Sequence, residues 1–177
     1  HLPSDVYLSV GTRSLQERTL KEAIGLSWFN QASVCWQRGD HADAINAYER
    51  AQRYIPADML IKELLGYNLL FIGETARARA LLEEVRYHTP DYAVSGSSVA
   101  DDYLSGAADA EGLRIALMPV EEERAALLEK RNKLEEVTRQ WPRFRSGWFH
   151  LAVTWLQLLL SLVAKDNKCE LCVATPM

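Results

Sequence analysis

The chain has 177 residues, of which 48% are hydrophobic and 25% are charged. This composition is ordinary for a soluble globular protein. The net charge of −4 provides no general attraction for nucleic acid or an anionic membrane, so we expect neither as a partner. Three cysteines, an odd number, argue against a disulfide framework and favour a reducing compartment such as the cytoplasm.

Residues 1–18 mix turn-forming residues with a short apolar run, and we interpret them as an N-terminal leading segment. They lack the basic start and apolar centre of a signal peptide. Because the chain begins at His1, we expect it to be a fragment or a processed product.

Residues 19–92 are predicted to form two helical hairpins. Thr19 and Glu22 have capping-box spacing, and the helix that they begin meets no breaker before Gly39. The next helix ends before Pro56, because proline cannot continue a helix. Residues 59–72 and 75–88 then repeat the same helix–turn–helix order.

A repeat of constant period relates the two hairpins. Three pairs of landmarks share one offset along the chain: Gly39 and Gly73, Ala44 and Ala78, Pro56 and Pro90. The glycines permit a sharp turn between paired helices. The alanines allow the second helix of each hairpin to pack closely on the first.

This pattern resembles the tetratricopeptide repeat, which has the same helix–turn–helix form and the same period of about 34 residues. The resemblance covers residues 25–92, and an incomplete third repeat starts at about residue 145. The residues that carry it are Trp28, Ala32, Gly39, Ala44, Tyr48, Ala51, Pro56, Leu65, Gly66, Gly73, Ala78 and Pro90. The chain departs from the family pattern at Gln31, Cys35 and Lys62. The resemblance implies an all-α solenoid of stacked hairpins.

A stripe at helical spacing is predicted to face the core of each hairpin. Its members are Trp28, Ala32 and Cys35 in the first unit and Lys62, Gly66 and Leu69 in the second. In this position Cys35 is expected to be a small buried hydrophobic residue rather than a reactive thiol.

After Pro90 the repeat period is lost. Residues 93–119 are rich in Ser, Gly, Ala and Asp, which predicts an irregular insertion with at most one short helix. Residues 120–140 predict a helix with Leu127, Leu134 and Val137 on one side. Residues 120–164 therefore comprise this helix and an incomplete third repeat, and 165–177 form a polar C-terminal tail.

The incomplete repeat is predicted to begin at Arg145. Trp148, Leu151, Ala152 and Trp155 reproduce the core pattern of the first helix, but Leu159 stands where the turn glycine should lie. The apolar window 148–164 is short for a membrane span and contains polar residues. We interpret it as a core helix whose second apolar face needs a cover, with self-association as one possibility.

No catalytic or cofactor-binding motif is visible in the sequence, so we expect neither enzyme activity nor a cofactor. Cys169 and Cys172 form a CxxC pair, but a second pair of zinc ligands is not nearby. The four histidines lack metal-ligand spacing, and His41 and His88 are expected on solvated surfaces of the repeats. We therefore predict no metal site.

The best functional candidate is the concave surface that first helices line in such solenoids. We define the predicted groove as the inward positions beside the core stripe: Leu26, Phe29, Ser33, Trp36, Leu60, Glu63, Tyr67, Leu70 and Phe71. Family members that hold chaperone carboxylates have basic residues and asparagine there, whereas Glu63 is the one charge of this set. An apolar peptide or an amphipathic helix suits it better.

The predicted function is a non-enzymatic interaction module or scaffold. Three alternatives remain open. The groove residues could pack beneath segments 1–18 or 93–118. The chain could be an accessory region of a larger enzyme, since residues 13–40 are also similar to segments that follow transglutaminase-like domains in some bacterial proteins, although no catalytic Cys–His–Asp set is recognisable. It could also be an oligomerisation module built on its last helix.

Overall fold

The computed structural model describes residues 19–86, 98–119 and 123–171, and this part of the chain is all-α, as predicted. Its eight helices are α1 (Leu20–Gln37), α2 (His41–Tyr54), α3 (Met59–Phe71), α4 (Thr75–Arg86), α5 (Ser98–Leu104), α6 (Ala110–Ala116), α7 (Arg124–Gln140) and α8 (Arg145–Leu171). Consecutive helices pack as hairpins. The chain divides into two compact units at Ala100 and Asp101, within α5. The leading segment 1–18 lies outside the described residues.

The first helix begins where its capping box predicts. Thr19 Oγ1 accepts a hydrogen bond from the backbone N–H of Glu22 at 3.2 Å, and the Glu22 carboxylate accepts from the backbone N–H of Thr19 at 2.8 Å. Two N–H groups that the helix itself cannot pair are therefore satisfied reciprocally.

The two repeat glycines make the same turn. Gly39 and Gly73 have φ angles of +79° and +88°, a left-handed conformation that side chains disfavour. After each glycine the next N–H reaches back into the helix, from Asp40 to the Cys35 carbonyl at 3.0 Å and from Glu74 to the Leu69 carbonyl at 2.9 Å. These are Schellman motifs, and they end α1 and α3 identically.

Small residues bring the paired helices close together, as the repeat predicts. Ala44 and Ala78 are fully buried. A Cβ atom on Gly66 would lie 2.9 Å from Cδ2 of Leu82, so any larger residue there would require the Leu82 side chain to move.

The predicted core stripe is only partly correct. Ala32 and Leu69 are fully buried, but Trp28 and Cys35 are half-buried. Trp28 lies at the edge of the first hairpin, where the Arg50 guanidinium covers its ring at 4.5 Å. At the corresponding position in the second hairpin, Lys62 forms a 2.6 Å ion pair with Glu84 on α4. Trp28 and Lys62 therefore each contact the second helix at the edge of their hairpin rather than filling its centre.

The segment 93–119 is more regular than its composition predicts, because it contains both α5 and α6. Gly106 follows Gly73 at almost the repeat interval and has a φ angle of +72°, and the Ala107 N–H donates to the Asp102 carbonyl at 2.8 Å. This is a third Schellman motif. Asp109 then caps α6 by accepting from the Gly112 N–H at 2.7 Å.

Helix α8 begins at Arg145, as predicted, because an aspartate from α5 caps it. The Asp102 side chain is 1% exposed and accepts three hydrogen bonds. They come from the Ser146 N–H at 2.9 Å, the Ser146 hydroxyl at 2.8 Å and Arg145 Nε at 2.9 Å. The adjacent Asp101 accepts from Arg145 Nη2 at 2.6 Å near the surface. We call these contacts the Asp102 clamp.

The long helices α7 and α8 form the last hairpin. Leu127, Leu134 and Val137 are buried on α7, as predicted. On α8 the prediction is correct for Leu151, which is buried, but wrong for Trp148, Ala152 and Trp155, which are exposed. Thr154 and Leu158 are buried instead. Apolar residues occur all around α8, so their spacing alone did not reveal which side packs on α7.

Helix α8 passes Leu159 without a turn, as the missing glycine predicts, and continues to Leu171. Residues 165–171 are therefore helical rather than part of a tail, while 172–177 lie outside the described residues. Within 19–86, 98–119 and 123–171, no helix combines the length and the hydropathy that crossing a bilayer requires.

The Asp102 clamp predicts a large difference between two neighbouring aspartates. Asp102→Ala leaves the buried N–H and hydroxyl of Ser146 without this acceptor, so we expect the unfolding free energy to fall by about 2–4 kcal/mol. Asp101→Ala removes a pair with the same arginine that lies near the surface and should cost about 1 kcal/mol or less. Urea unfolding followed by circular dichroism measures both. Equal losses in the two variants would contradict the clamp.

A second prediction concerns pH. Burial lowers the pKa of His150 below its usual value of about 6.5, and the neighbouring Lys130 ammonium lowers it further. The folded protein thus keeps His150 neutral, whereas the unfolded chain takes up a proton below about pH 6.5. Stability should therefore fall as the pH drops from about 7 to about 5, by at most about 1.4 kcal/mol per pH unit for this proton. In His150→Gln, urea unfolding over this range should show a smaller slope than in the wild type. The same slope in both proteins would exclude His150 as its source.

Candidate functional site

The predicted groove lies on α1 and α3, the first helices of the two hairpins. On α1, Leu26, Phe29, Ser33 and Trp36 are all half-buried. The α3 residues are more varied: Leu60 is exposed, Glu63 and Phe71 are half-buried, and Tyr67 and Leu70 are buried.

An aromatic cluster joins the two hairpins within this set. The Trp36 ring lies 6.4 Å from the Tyr67 ring and 6.3 Å from the Phe71 ring, both in edge-to-face orientation. Such geometry places the positive edge of one ring against the negative face of another. The structure thus brings the predicted aromatic residues together, and they hold α1 against α3.

Two of the predicted binding residues contribute to the core instead of the surface. Tyr67 is 2% exposed and Leu70 is 4% exposed. The Tyr67 hydroxyl donates to Glu63 Oε1 at 2.5 Å, so the one carboxylate of the predicted groove already accepts a hydrogen bond. Neither buried side chain offers a ligand appreciable area.

At the other end of α1, the predicted residues contact α2. The Phe29 ring lies 5.8 Å from the Tyr48 ring, and Ser33 Oγ lies 3.5 Å from the Tyr48 hydroxyl. Burial raises the pKa of Tyr48, an effect that the Ser33 contact opposes. The Ser33 hydroxyl also donates to the Phe29 carbonyl at 3.1 Å. Ser33 is therefore engaged within its own hairpin.

Sequence reasoning missed a polar link between the hairpins. His41 Nδ1 lies 2.8 Å from Oδ1 of Asn68, which is fully buried, and the His41 ring lies 5.3 Å from Phe71. Since Asn68 Nδ2 donates to the Leu64 carbonyl at 2.8 Å, its Oδ1 is the acceptor and His41 Nδ1 is the donor. The expectation that His41 lies on a solvated surface is wrong, whereas His88 lies outside the described residues. The indication was Asn68 itself, a polar residue within an apolar run that needs a buried partner.

What the predicted groove offers a ligand is apolar surface. Leu60 is 43% exposed, and Leu26, Phe29, Trp36 and Phe71 keep part of their surface in solvent. Among the described residues, no group of three or more His, Cys, Asp or Glu side chains is placed to hold a metal ion. The side chain of Cys169 and all of Cys172 lie outside that description. This surface is suited to binding apolar groups of a ligand rather than charged groups.

No family model matches the chain, and no curated protein or solved structure matches it.

The burial of Tyr67 predicts an effect on folding. Tyr67→Ala should lower the unfolding free energy by about 3–5 kcal/mol, because it leaves a cavity between α1 and α3 and removes the partner of Glu63. Leu60→Ala, on the exposed part of the same helix, should cost about 1 kcal/mol or less. Chemical denaturation of both variants provides the comparison. A stable Tyr67→Ala protein would show that this ring is not part of the core.

Proposed function

We propose that this protein is a non-enzymatic interaction module of the tetratricopeptide type, whose first unit binds an apolar peptide or an amphipathic helix across α1 and α3. The observation that carries the proposal is the accessible apolar surface beside the Trp36–Tyr67–Phe71 cluster. The buried part of the cluster makes the surface rigid, and a preorganised surface loses little conformational entropy on binding.

The repeat supports the family part of this proposal. The hairpins α1–α2 and α3–α4 share Schellman turns at Gly39 and Gly73, and their fully buried alanines, Ala44 and Ala78, recur at the same offset as the glycines. In solenoids of such hairpins, first helices line the binding surface. The same helices carry the predicted groove here.

The chemistry of the surface supports the choice of ligand. Its apolar members are Leu26, Phe29, Trp36, Leu60 and Phe71. An amphipathic helix presents apolar side chains at intervals of three and four residues, so it can place one row across α1 and α3. The ligand needs no basic residue, because the Glu63 carboxylate already accepts from Tyr67.

Binding of short amphipathic peptides, selected from a display library and measured by calorimetry, tests this proposal. Trp36→Ala should weaken binding by about 2 kcal/mol, as for an aromatic hot spot, and Leu60→Glu should also weaken it. Salt should have little effect, since apolar contacts are not screened.

Leu20→Glu is the matched control, because Leu20 is 81% exposed on α1 and lies outside the predicted groove. Thermal melts of all variants separate lost binding from lost folding. Peptides that bind the folded Trp36→Ala and Leu60→Glu variants as tightly as the wild type would refute the proposed site.

A further inference from the structure

The solvent-facing side of α8 is apolar over three turns. We define the α8 outer face by six side chains, each between 42% and 65% exposed: Trp148, Phe149, Trp155, Leu156, Leu159 and Leu160. The small Ala152 lies exposed among them. Successive positions at spacings of three, four and seven residues place all of them on one side of the helix. No charged side chain interrupts this face between residues 148 and 160.

The side of α8 that packs inward contains Leu151 and Leu158 but also the buried polar residues Ser146 and Thr154. The Thr154 hydroxyl donates to the His150 carbonyl at 2.8 Å. A surface helix normally has its polar side in solvent, whereas the exposed side of α8 carries its largest apolar residues. The outer face of α8 therefore has the composition of an interface.

The Asp102 clamp keeps this face turned outward. Asp102 holds the N–H and the hydroxyl of Ser146 at the first turn of α8, and Phe144 just before the helix is fully buried. Rolling α8 to bury its tryptophans would break these contacts and leave the Asp102 carboxylate buried without them, which is costly. The exposed orientation is thus part of the fold.

We propose that the α8 outer face binds the same face of a second copy of this chain and forms a two-fold symmetric dimer. Six large side chains about half exposed offer on the order of 600 Å² per copy. Two copies that covered the whole face would bury about 1,200 Å², which reaches the lower end of stable, specific interfaces. A monomer rarely leaves a contiguous apolar patch of this size uncovered.

The charges around the face favour a copy of the chain over an anionic membrane. Arg145 at one end pairs with Asp101 at 2.6 Å, and Arg131 lies 3.7 Å from Glu135 while its guanidinium covers the Trp155 ring at 4.9 Å. These arginines are neutralised by their own neighbours. In a two-fold interface the same surface of each copy contacts itself. A face without charged side chains makes this contact without electrostatic repulsion.

The side-chain sizes fix a register for the pair. When two antiparallel helices cross at a two-fold axis through Ala152, Trp148 of one copy faces Leu156 of the other, and Phe149 faces Trp155. The alanines meet at the axis, where small side chains allow the backbones to approach. Four of the six large side chains then lie against another large apolar one, while Leu159 and Leu160 lie beyond this central contact.

Sedimentation velocity of the full chain from about 1 to about 100 µM tests the dimer, since an interface of this size predicts micromolar association. The wild type should shift from monomer to dimer within this range.

Phe149→Glu should weaken the association at least about 100-fold, because each dimer would bury two charges. Leu156→Glu repeats the test at a second exposed position. Leu20→Glu places the same charge on an exposed leucine of α1, outside both proposed surfaces, and should leave the dimer unchanged. Circular dichroism melts establish that each variant is folded.

Crosslinking tests the register. In a background with Cys35, Cys169 and Cys172 replaced by Ser, Ala152→Cys should form a covalent dimer under mild oxidation, since the two Cβ atoms lie within disulfide reach at the axis. Glu129→Cys, on the exposed side of α7, should not.

Three outcomes would overturn the proposal: a wild-type monomer throughout the range, a dimer that persists in both glutamate variants, and an assembly larger than a dimer. A membrane is the other partner that suits an exposed apolar face. Flotation with vesicles of phosphatidylcholine and phosphatidylserine tests for membrane binding. Wild-type binding to these vesicles that Phe149→Glu abolishes would assign the face to a membrane instead.

Discussion

The left-handed glycine at the end of a helix is the constraint on which the first two hairpins of this protein depend. A helix leaves its last carbonyl groups unpaired, and the Schellman turn pairs them while it reverses the chain. Gly39, Gly73 and Gly106 all adopt the required positive φ angle. A side chain at these positions would meet no other atom within 4 Å, so backbone conformation and not space demands the glycine. The reversals at Gly39 and Gly73 bring α1 against α2 and α3 against α4.

Features with a local cause could be predicted from the sequence. The turns at Gly39 and Gly73 and the capping box at Thr19 agree with the structure. Gly106 also marks a helix-ending turn, at almost the repeat interval after Gly73, but the Ser, Ala and Asp residues around it predict an irregular segment. A turn glycine was a better guide there than composition.

Features set by contacts between helices could not be predicted in the same way. Helical spacing identified the aromatic positions Trp36, Tyr67 and Phe71, and the structure brings them together. It did not show that Tyr67 is buried while Leu60 on the same helix is exposed, because both are apolar and only the packing of α1 on α3 distinguishes them. The His41–Asn68 bond joins residues of different hairpins and has no local pattern.

The error on α8 follows from the same physics. Periodicity assigns a buried side only when polar residues occupy the other side. On α8 the inward residues Ser146 and Thr154 satisfy their hydrogen bonds locally or through Asp102, so burying them costs little, while tryptophan and leucine fill the outward positions. An assignment based on hydrophobicity alone therefore places Trp148 and Trp155 in the core, whereas both are exposed. The buried Asp102 carboxylate holds the first turn of α8 and opposes rotation of the helix, while Leu151 and Leu158 supply apolar contact on the inward side. Hydrogen bonding at the first turn and apolar contact along the helix together leave its tryptophans on the solvent side.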